Sequence, residues 1–168
     1  MADNGSNGNG ASADNRYKKI EIRPQLLESG KKTQMLHRNH NIGMGVQVVA
    51  SGGETNLHAH GNQDAIWLVL QGKAVFYGEG DKVLANLKKN EAFFIEHGAP
   101  YWFESGDDSE NLVILRMSAK VEGATEGRVD YGERQFVIAH GAGEAEKQQA
   151  AGMVERPVKV LEGRFFGD

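Results

Sequence analysis

Two histidines separated by one residue, His58 and His60, are the side chains of this sequence best suited to chemistry. Residues two apart on a β-strand project from the same face, so both imidazoles would point the same way. Two imidazoles on one face can hold a metal ion, or one of them can accept and return a proton near neutral pH. The pair therefore predicts either a metal site or a proton-transfer site.

The residues around the pair predict strands rather than helices. A β-branched run, GVQVVAS, precedes the pair, and an almost continuous apolar run, AIWLVLQ, follows it. Such an apolar run is typical of a strand that is buried on both faces. The chain contains 22 glycines, and turn signals recur at the spacing expected of short strands up to Lys120. We therefore expect an all-β sandwich or barrel.

Composition excludes several classes of protein. The net charge of −4 offers no basic patch for nucleic acid. The absence of cysteine excludes disulfides and thiolate chemistry. No apolar run approaches the ~18 residues of a membrane span, and the N-terminus lacks the apolar core of a signal peptide. We expect a cytoplasmic protein with a small-molecule substrate and no nucleic-acid or membrane partner.

The chain divides by composition into three segments. Residues 1–15 are rich in Gly, Asn and Ser and predict a disordered leader. Residues 16–120 carry the strand signals and predict the barrel, within which the polar stretch 25–40 is interpreted as a solvated loop. Residues 121–168 predict an extension that packs on the barrel or on a partner subunit, with Phe165 and Phe166 as its apolar anchor.

Two stretches resemble the sequence motifs of the cupin superfamily. Gly53, the HAH pair and Gly72 match the first motif, and FFIEHGAPYWFES occupies the place of the second, so the resemblance covers about residues 44–118. The resemblance implies a double-stranded β-helix, or jelly-roll, barrel with a pocket inside it, often in a homodimer. It also implies one divalent metal, such as Fe, Mn, Ni or Zn, which cupins bind through two His, one Glu and a third His.

The sequence departs from the cupin motifs at two of the four ligand positions. The Glu position falls on Ala65, and the third His position falls on Tyr101. Asp64 could complete a set of two His and one carboxylate with the pair, provided that a bulge turned its side chain into the pocket.

Three functions stay open. In the first, His58 or His60 is a base and Tyr101 donates a hydrogen bond to a developing oxyanion. This enzyme would be an isomerase, dehydratase or lyase that acts on a small, partly apolar substrate, with or without a weakly held divalent metal. In the second, His58, His60 and Asp64 bind Fe(II) in a dioxygenase-type oxidoreductase. The third is a barrel that binds a small molecule without catalysis.

Alternation along the strands also predicts which side chains line the pocket. Trp67 shares a face with position 65, and Phe103 shares a face with Tyr101, so both aromatic rings could stack on a planar substrate. Gln47 and Arg116 lie on candidate barrel strands. Either could orient a carboxylate or a carbonyl if it pointed inward, although an exposed placement is expected for both.

Overall fold

The computed structural model describes residues 16–132, 135–136, 154–155 and 157–168, and the predicted leader lies outside this range. Apart from one short 3-10 turn, Glu79–Asp81, the regular structure of these residues is entirely strand. The strands, in chain order, are β1 (Gln25–Ser29), β2 (Lys31–Arg38), β3 (Ile42–Val49), β4 (His58–His60), β5 (Gln63–Gln71), β6 (Lys73–Tyr77), β7 (Val83–Lys88), β8 (Ala92–Ile95), β9 (Trp102–Ser105), β10 (Leu112–Lys120), β11 (Arg128–Asp130), β12 (Gln135–Phe136), β13 (Val154–Glu155) and β14 (Lys159–Phe165).

Two antiparallel sheets enclose the core. The larger sheet has the spatial order β2-β3-β10-β5-β8, and the smaller has the order β7-β6-β9. Trp67, Val69 and Ile114 of the larger sheet meet Phe76 and Phe103 of the smaller sheet in one buried cluster. This arrangement confirms the all-β prediction.

Strand β5 packs against apolar clusters on both faces, as its apolar run predicted, although Ile66 is exposed. Trp67 and Val69 face the core between the sheets. Leu68 and Leu70 point the opposite way, because side chains alternate along a strand, and they pack into a second apolar cluster behind the larger sheet. Gly72 then turns the chain with a φ of 73°, and a Cβ there would lie 2.8 Å from the carbonyl oxygen of Asn111. Glycine is therefore required at this turn.

The interpretation of residues 25–40 as a solvated loop is wrong. This stretch forms β1 and the whole of β2, and β2 is an edge strand of the larger sheet. Leu27 and Leu36 are buried in the second cluster, while the polar residues of β2 are mostly exposed. An edge strand tolerates such a polar composition because one of its sides has no neighbouring strand.

The C-terminal residues pack on the chain's own barrel. Strand β14 pairs antiparallel with β1, and Phe166 packs against the second cluster. Arg23 lies over the Phe165 ring at 4.6 Å from the ring centroid and forms an ion pair with Asp168. Strand β11 also lies beyond the predicted end of the barrel at Lys120, yet it pairs with β4, the strand of the two histidines.

The outer face of the larger sheet carries an apolar patch of Phe94, Ile66 and Met117, which are cross-strand neighbours on β8, β5 and β10 and are exposed. The homodimer stays a prediction, and light scattering of variants in this patch would test it. None of the described residues forms a helix that is long and apolar enough to cross a membrane.

Candidate functional site

The two histidines lie together at one end of the barrel. Their rings have centroids 5.2 Å apart and are nearly perpendicular, with an interplanar angle of 88°. His58 is buried at 3% exposure, whereas His60 is half-buried. The short strand β4 holds both residues, and its register with β11 places His60 opposite Arg128 and His58 opposite Asp130.

His58 is a neutral imidazole with a defined tautomer. Its Nδ1 lies 2.8 Å from the carbonyl oxygen of Asn56. Because a carbonyl only accepts, Nδ1 carries the proton and Nε2 is the nitrogen that can accept another. Burial, followed by the positive charge of Arg128, lowers the pKa of His58 to about 3. The protonated form is therefore a minor species at neutral pH.

His60 has a different hydrogen-bond arrangement. Its Nδ1 lies 3.0 Å from Nε2 of Gln63, and the side-chain amide donates. The proton of a neutral His60 ring is then on Nε2. The two rings of the pair therefore have opposite tautomers.

Tyr101 is buried against His58. Their ring centroids are 4.5 Å apart, and each residue donates its backbone N–H to the carbonyl of the other, at 3.0 and 2.9 Å. The hydroxyl, however, has no hydrogen-bond partner in the described part of the chain. Burial raises the pKa of Tyr101, and the nearby guanidinium of Arg116 acts in the opposite direction. The hydroxyl is thus neutral and its proton has no acceptor among the described residues, while its oxygen faces two donor side chains, the indole of Trp67 and the guanidinium of Arg116.

Trp67 and Phe103 lie inside the barrel, with ring centroids 4.9 Å apart, and both are buried. The indole Nε1 of Trp67 is also buried and lacks a hydrogen-bond partner among the described residues. A Trp N–H normally finds a partner when it is buried. This second donor without an acceptor lies on the wall that Tyr101 shares, since the two ring centroids are 6.2 Å apart.

The expectation that Gln47 and Arg116 are exposed is wrong, because both have buried polar atoms. Gln47 alternates with Val46 and Val48, which belong to the second cluster, so it faces the barrel interior with its Oε1 buried. Arg116 pairs with Trp67 across β10 and β5, and its guanidinium carbon lies 5.7 Å from the centroid of the indole. These side chains turn inward because side chains on a regular strand alternate, whatever their polarity.

Asp64 is not brought to the histidine pair. Its Oδ1 accepts a hydrogen bond from the backbone N–H of His97 at 2.8 Å and lies 2.8 Å from Nδ1 of the same residue. These bonds lower the pKa of Asp64. Strand β5 is regular here and turns Ala65 inward, so Asp64 faces outward. The expectation that a bulge would turn Asp64 into the pocket is therefore corrected.

The donors of this site do not fit a divalent metal. No group of three or more His, Asp or Glu side chains within the described ranges could hold an ion. Of the two imidazoles, His60 has its Nδ1 lone pair engaged by Gln63. Arg128 and Lys31 both lower the pKa of His58, so the local field is positive and disfavours a bound cation. A metal site normally needs more ligands and the opposite charge.

Asn56, Arg128 and Asp130, which the sequence did not indicate, form a hydrogen-bonded cluster beside His58. Arg128 donates from Nε to Asp130 Oδ1 and from Nη2 to Asn56 Oδ1, each at 2.8 Å. Asn56 Nδ2 completes the cluster with a 2.8 Å bond to Asp130 Oδ1. Because Asn56 also accepts the Nδ1 proton of His58, this cluster fixes the orientation of the imidazole. The bonds of Asn56 to Arg128 and Asp130 join residues 72 and 74 positions apart, so no local sequence signal could have revealed this cluster.

A surface cleft of about 370 Å³ lies elsewhere, along β6 and β7, and is lined by Lys73, Asn86, Lys88 and Glu91 among others. It contains none of the histidines and none of the buried donors without partners. The barrel end around His58 is therefore the better candidate site.

Solved structures share this fold at low sequence identity. A protein with a double-stranded β-helix domain from Klebsiella pneumoniae is 16% identical over 67% of this chain and 91% of its own, with a TM-score of 0.54. The Cnp3 cupin domain of Schizosaccharomyces pombe is 19% identical over 56% of this chain and 68% of its own, with a TM-score of 0.50. A cupin superfamily protein from Desulfitobacterium hafniense is 14% identical over 61% of this chain and 98% of its own, with a TM-score of 0.50.

No family model matches the sequence, and no curated protein matches it significantly. At these identities the solved structures establish the fold and leave the function to be argued from the site.

Proposed function

We propose, on the premise that the chain has the double-stranded β-helix fold of the cupins, that it transfers a proton on a small, partly apolar organic substrate inside the barrel, without a metal. The observation that carries this proposal is the contact between His58 and Tyr101. One is a neutral imidazole whose unprotonated nitrogen is Nε2, and the other is a buried hydroxyl donor with no acceptor in the described segments. A carbonyl substrate needs both groups.

His58 is the proton acceptor in this proposal. Its low pKa means that Nε2 is unprotonated at every pH near neutrality. The same low pKa makes it a weak base in the empty barrel, because the imidazolium is poorly solvated there. Proton transfer must therefore be coupled to the negative charge that develops on the substrate, which stabilises the imidazolium as it forms.

Tyr101 stabilises that negative charge. Its raised pKa keeps the hydroxyl protonated, and a neutral hydroxyl in a water-poor site donates strongly to an enolate oxygen. The indole N–H of Trp67 is a second donor without an acceptor among the described residues and lies on the same wall. Two such donors would suit an oxygen that carries two lone pairs.

The walls of the site select for an apolar component in the substrate. Phe76 and Phe103 stack at 5.0 Å between ring centroids, and both are almost fully buried beside Trp67. Aromatic walls with a few convergent polar groups are typical of small-molecule sites. They also exclude water, which strengthens the hydrogen bonds that Tyr101 can make.

One observation favours a second candidate function, a barrel that binds a small molecule without changing it. The low pKa of His58 reduces its strength as a base, whereas it does not weaken binding through Tyr101 and Trp67. The oxygenase alternative requires Asp64 at the pair, whereas Asp64 is bonded to His97.

Deuterium exchange distinguishes these two functions. The EDTA-treated protein is incubated in D2O with hydroxyacetone, acetoin or cyclohexanone, and NMR follows the loss of the C–H signal beside the carbonyl. Proton transfer predicts catalysed exchange with at least one ketone, reduced by about 10²- to 10⁴-fold in His58→Gln, the range of a general base. A matched surface variant, His97→Gln, should retain the rate. Exchange with none of the ketones, or exchange that requires added Fe, Mn, Ni or Zn, would contradict the proposal.

A further inference from the structure

The guanidinium of Arg116 has one buried edge, formed by Nε and Nη2, that is free of hydrogen-bond partners among the described residues. Its Nη1 donates to Ser118 Oγ at 3.3 Å. Its Nε and Nη2 are buried, and neither has a hydrogen-bond partner within the described residues. These two atoms form one edge of the planar guanidinium and present two parallel N–H groups. Such an edge matches the two oxygens of a carboxylate.

The charges around Arg116 do not neutralise it. Arg116 takes part in no ion pair with the described residues. Burial is the largest cause that lowers its pKa, the nearby Tyr101 hydroxyl raises it, and two further cations, Arg38 and Arg128, lower it. A buried positive charge without a partner is costly, so such charges are normally paired. An anion is therefore the kind of group that Arg116 is suited to bind.

The backbone position opposite Arg116 carries no side chain. Gly45 is directly opposite Arg116 in the pairing of β3 with β10. A Cβ built at Gly45 would meet a single heavy atom within 4 Å, the carbonyl oxygen of Gln34 at 3.3 Å. Next along the same face of β3, the buried Oε1 of Gln47 lacks a donor in the described part of the chain. An acceptor therefore lies near the cationic donor.

We propose that Arg116 binds the carboxylate of a small organic acid inside the barrel through Nε and Nη2. The guanidinium lies over the ring of Trp67, whose indole N–H is a third donor. The Oε1 of Gln47 suits a hydroxyl or N–H group of the same ligand. This inference rests on the proposed function and deepens it, because it names an organic acid as the substrate class of the same site. The acid's carbonyl would then face Tyr101.

Calorimetry with matched acids and amides tests this inference. The probes are pyruvate with pyruvamide and benzoate with benzamide, each pair differing in charge but hardly in shape. We expect the acid of at least one pair to bind about 10- to 100-fold more tightly than its amide, the range for a hydrogen-bonded charge. Arg116→Met should reduce the affinity for the acid to that of the amide. Arg116→Lys should keep only part of the preference, because it retains the charge and loses the paired N–H groups.

Two further variants make the result specific. Gly45→Val should weaken the binding of acid and amide alike, because it fills space and leaves Arg116 intact. Arg23→Met is the matched control, because Arg23 forms an ion pair with Asp168. It should leave the affinities for acid and amide unchanged. Arg116→Met should also melt no lower than the wild type, because it removes a buried charge that has no partner.

Three results would overturn the inference: equal affinities for acid and amide, a preference that survives in Arg116→Met, or no binding of any of the four probes. These results are separable from a failure of the proposed function, because the exchange experiment uses neutral ketones. Exchange without acid preference would overturn this inference alone. Acid preference without exchange would overturn proton transfer alone.

Discussion

Tyr101→Phe is expected to leave the protein at least as stable as the wild type while it reduces proton exchange by about 10²- to 10³-fold, the loss seen when one oxyanion donor is removed. The hydroxyl is buried, and no partner satisfies it among the described residues, so its removal relieves a desolvation cost of about 1 kcal/mol. The ring, with its contacts to His58 and Trp67, is retained. Urea unfolding and the D2O exchange rate measure the two effects.

Tyr77→Phe is the matched control. The Tyr77 hydroxyl donates to Glu104 Oε1 at 2.7 Å on the smaller sheet, away from the histidines. Its removal should lower the free energy of unfolding by about 1 kcal/mol and leave exchange unchanged. If Tyr101→Phe destabilised the protein as Tyr77→Phe does and kept its exchange rate, Tyr101 would be an ordinary core residue.

Acidification should destabilise the folded protein through His58. The pKa of His58 falls from 6.5 to about 3 on folding, mainly because of burial. Between these two values the unfolded chain binds one more proton than the folded protein, so stability rises with pH. The contribution of His58 is fully present above pH 6.5 and is lost progressively as the pH falls toward 3, by up to about 5 kcal/mol.

His58→Gln separates this contribution from that of the carboxylates, which titrate equally in both proteins. The free energy of unfolding is measured in urea at several pH values for the wild type and the variant. The advantage of the wild type should shrink by about 1.4 kcal/mol per pH unit below pH 6. A difference between the two proteins that does not vary with pH would mean that His58 titrates normally and is not the buried neutral base described above.

Local patterns predicted the parts of the fold that obey one strong rule. The continuous apolar run of β5 predicted packing on both faces, because a central strand has neighbours on each side, although Ile66 of this run is exposed. The HAH spacing predicted two neighbouring imidazoles, because residues two apart share a face of a strand. The cupin-like spacing predicted the double-stranded β-helix that the solved structures share.

Local patterns failed where tertiary context outweighs polarity. Residues 25–40 looked like a loop because an edge strand can be mostly polar. Arg116 looked exposed because burying a cation is costly, and only the regular alternation of β10 places it inside. Asp64 looked available to a metal because its partner, His97, is 33 residues away in the sequence.

The polar side chains that are buried against expectation are also the ones that carry the proposed chemistry. Tyr101, Trp67, Gln47 and Arg116 each have a buried polar atom that the described part of the chain does not satisfy. A folded protein normally satisfies such atoms. Tyr101 contacts His58, Trp67 neighbours Tyr101, and Arg116 lies over Trp67, which is the arrangement expected of a site that an organic ligand completes.

The most direct test of that account is the indole N–H resonance of Trp67 in a proton–nitrogen NMR titration of the EDTA-treated protein. The chain contains two tryptophans, and Trp102 is an internal control because its indole already donates to Asp81. Titration with pyruvate, benzoate, hydroxyacetone or cyclohexanone should shift the Trp67 signal downfield to saturation and leave the Trp102 signal unmoved. A Trp67 signal that no probe moves, or that moves only after a divalent metal is added, would contradict a metal-independent ligand site in this barrel.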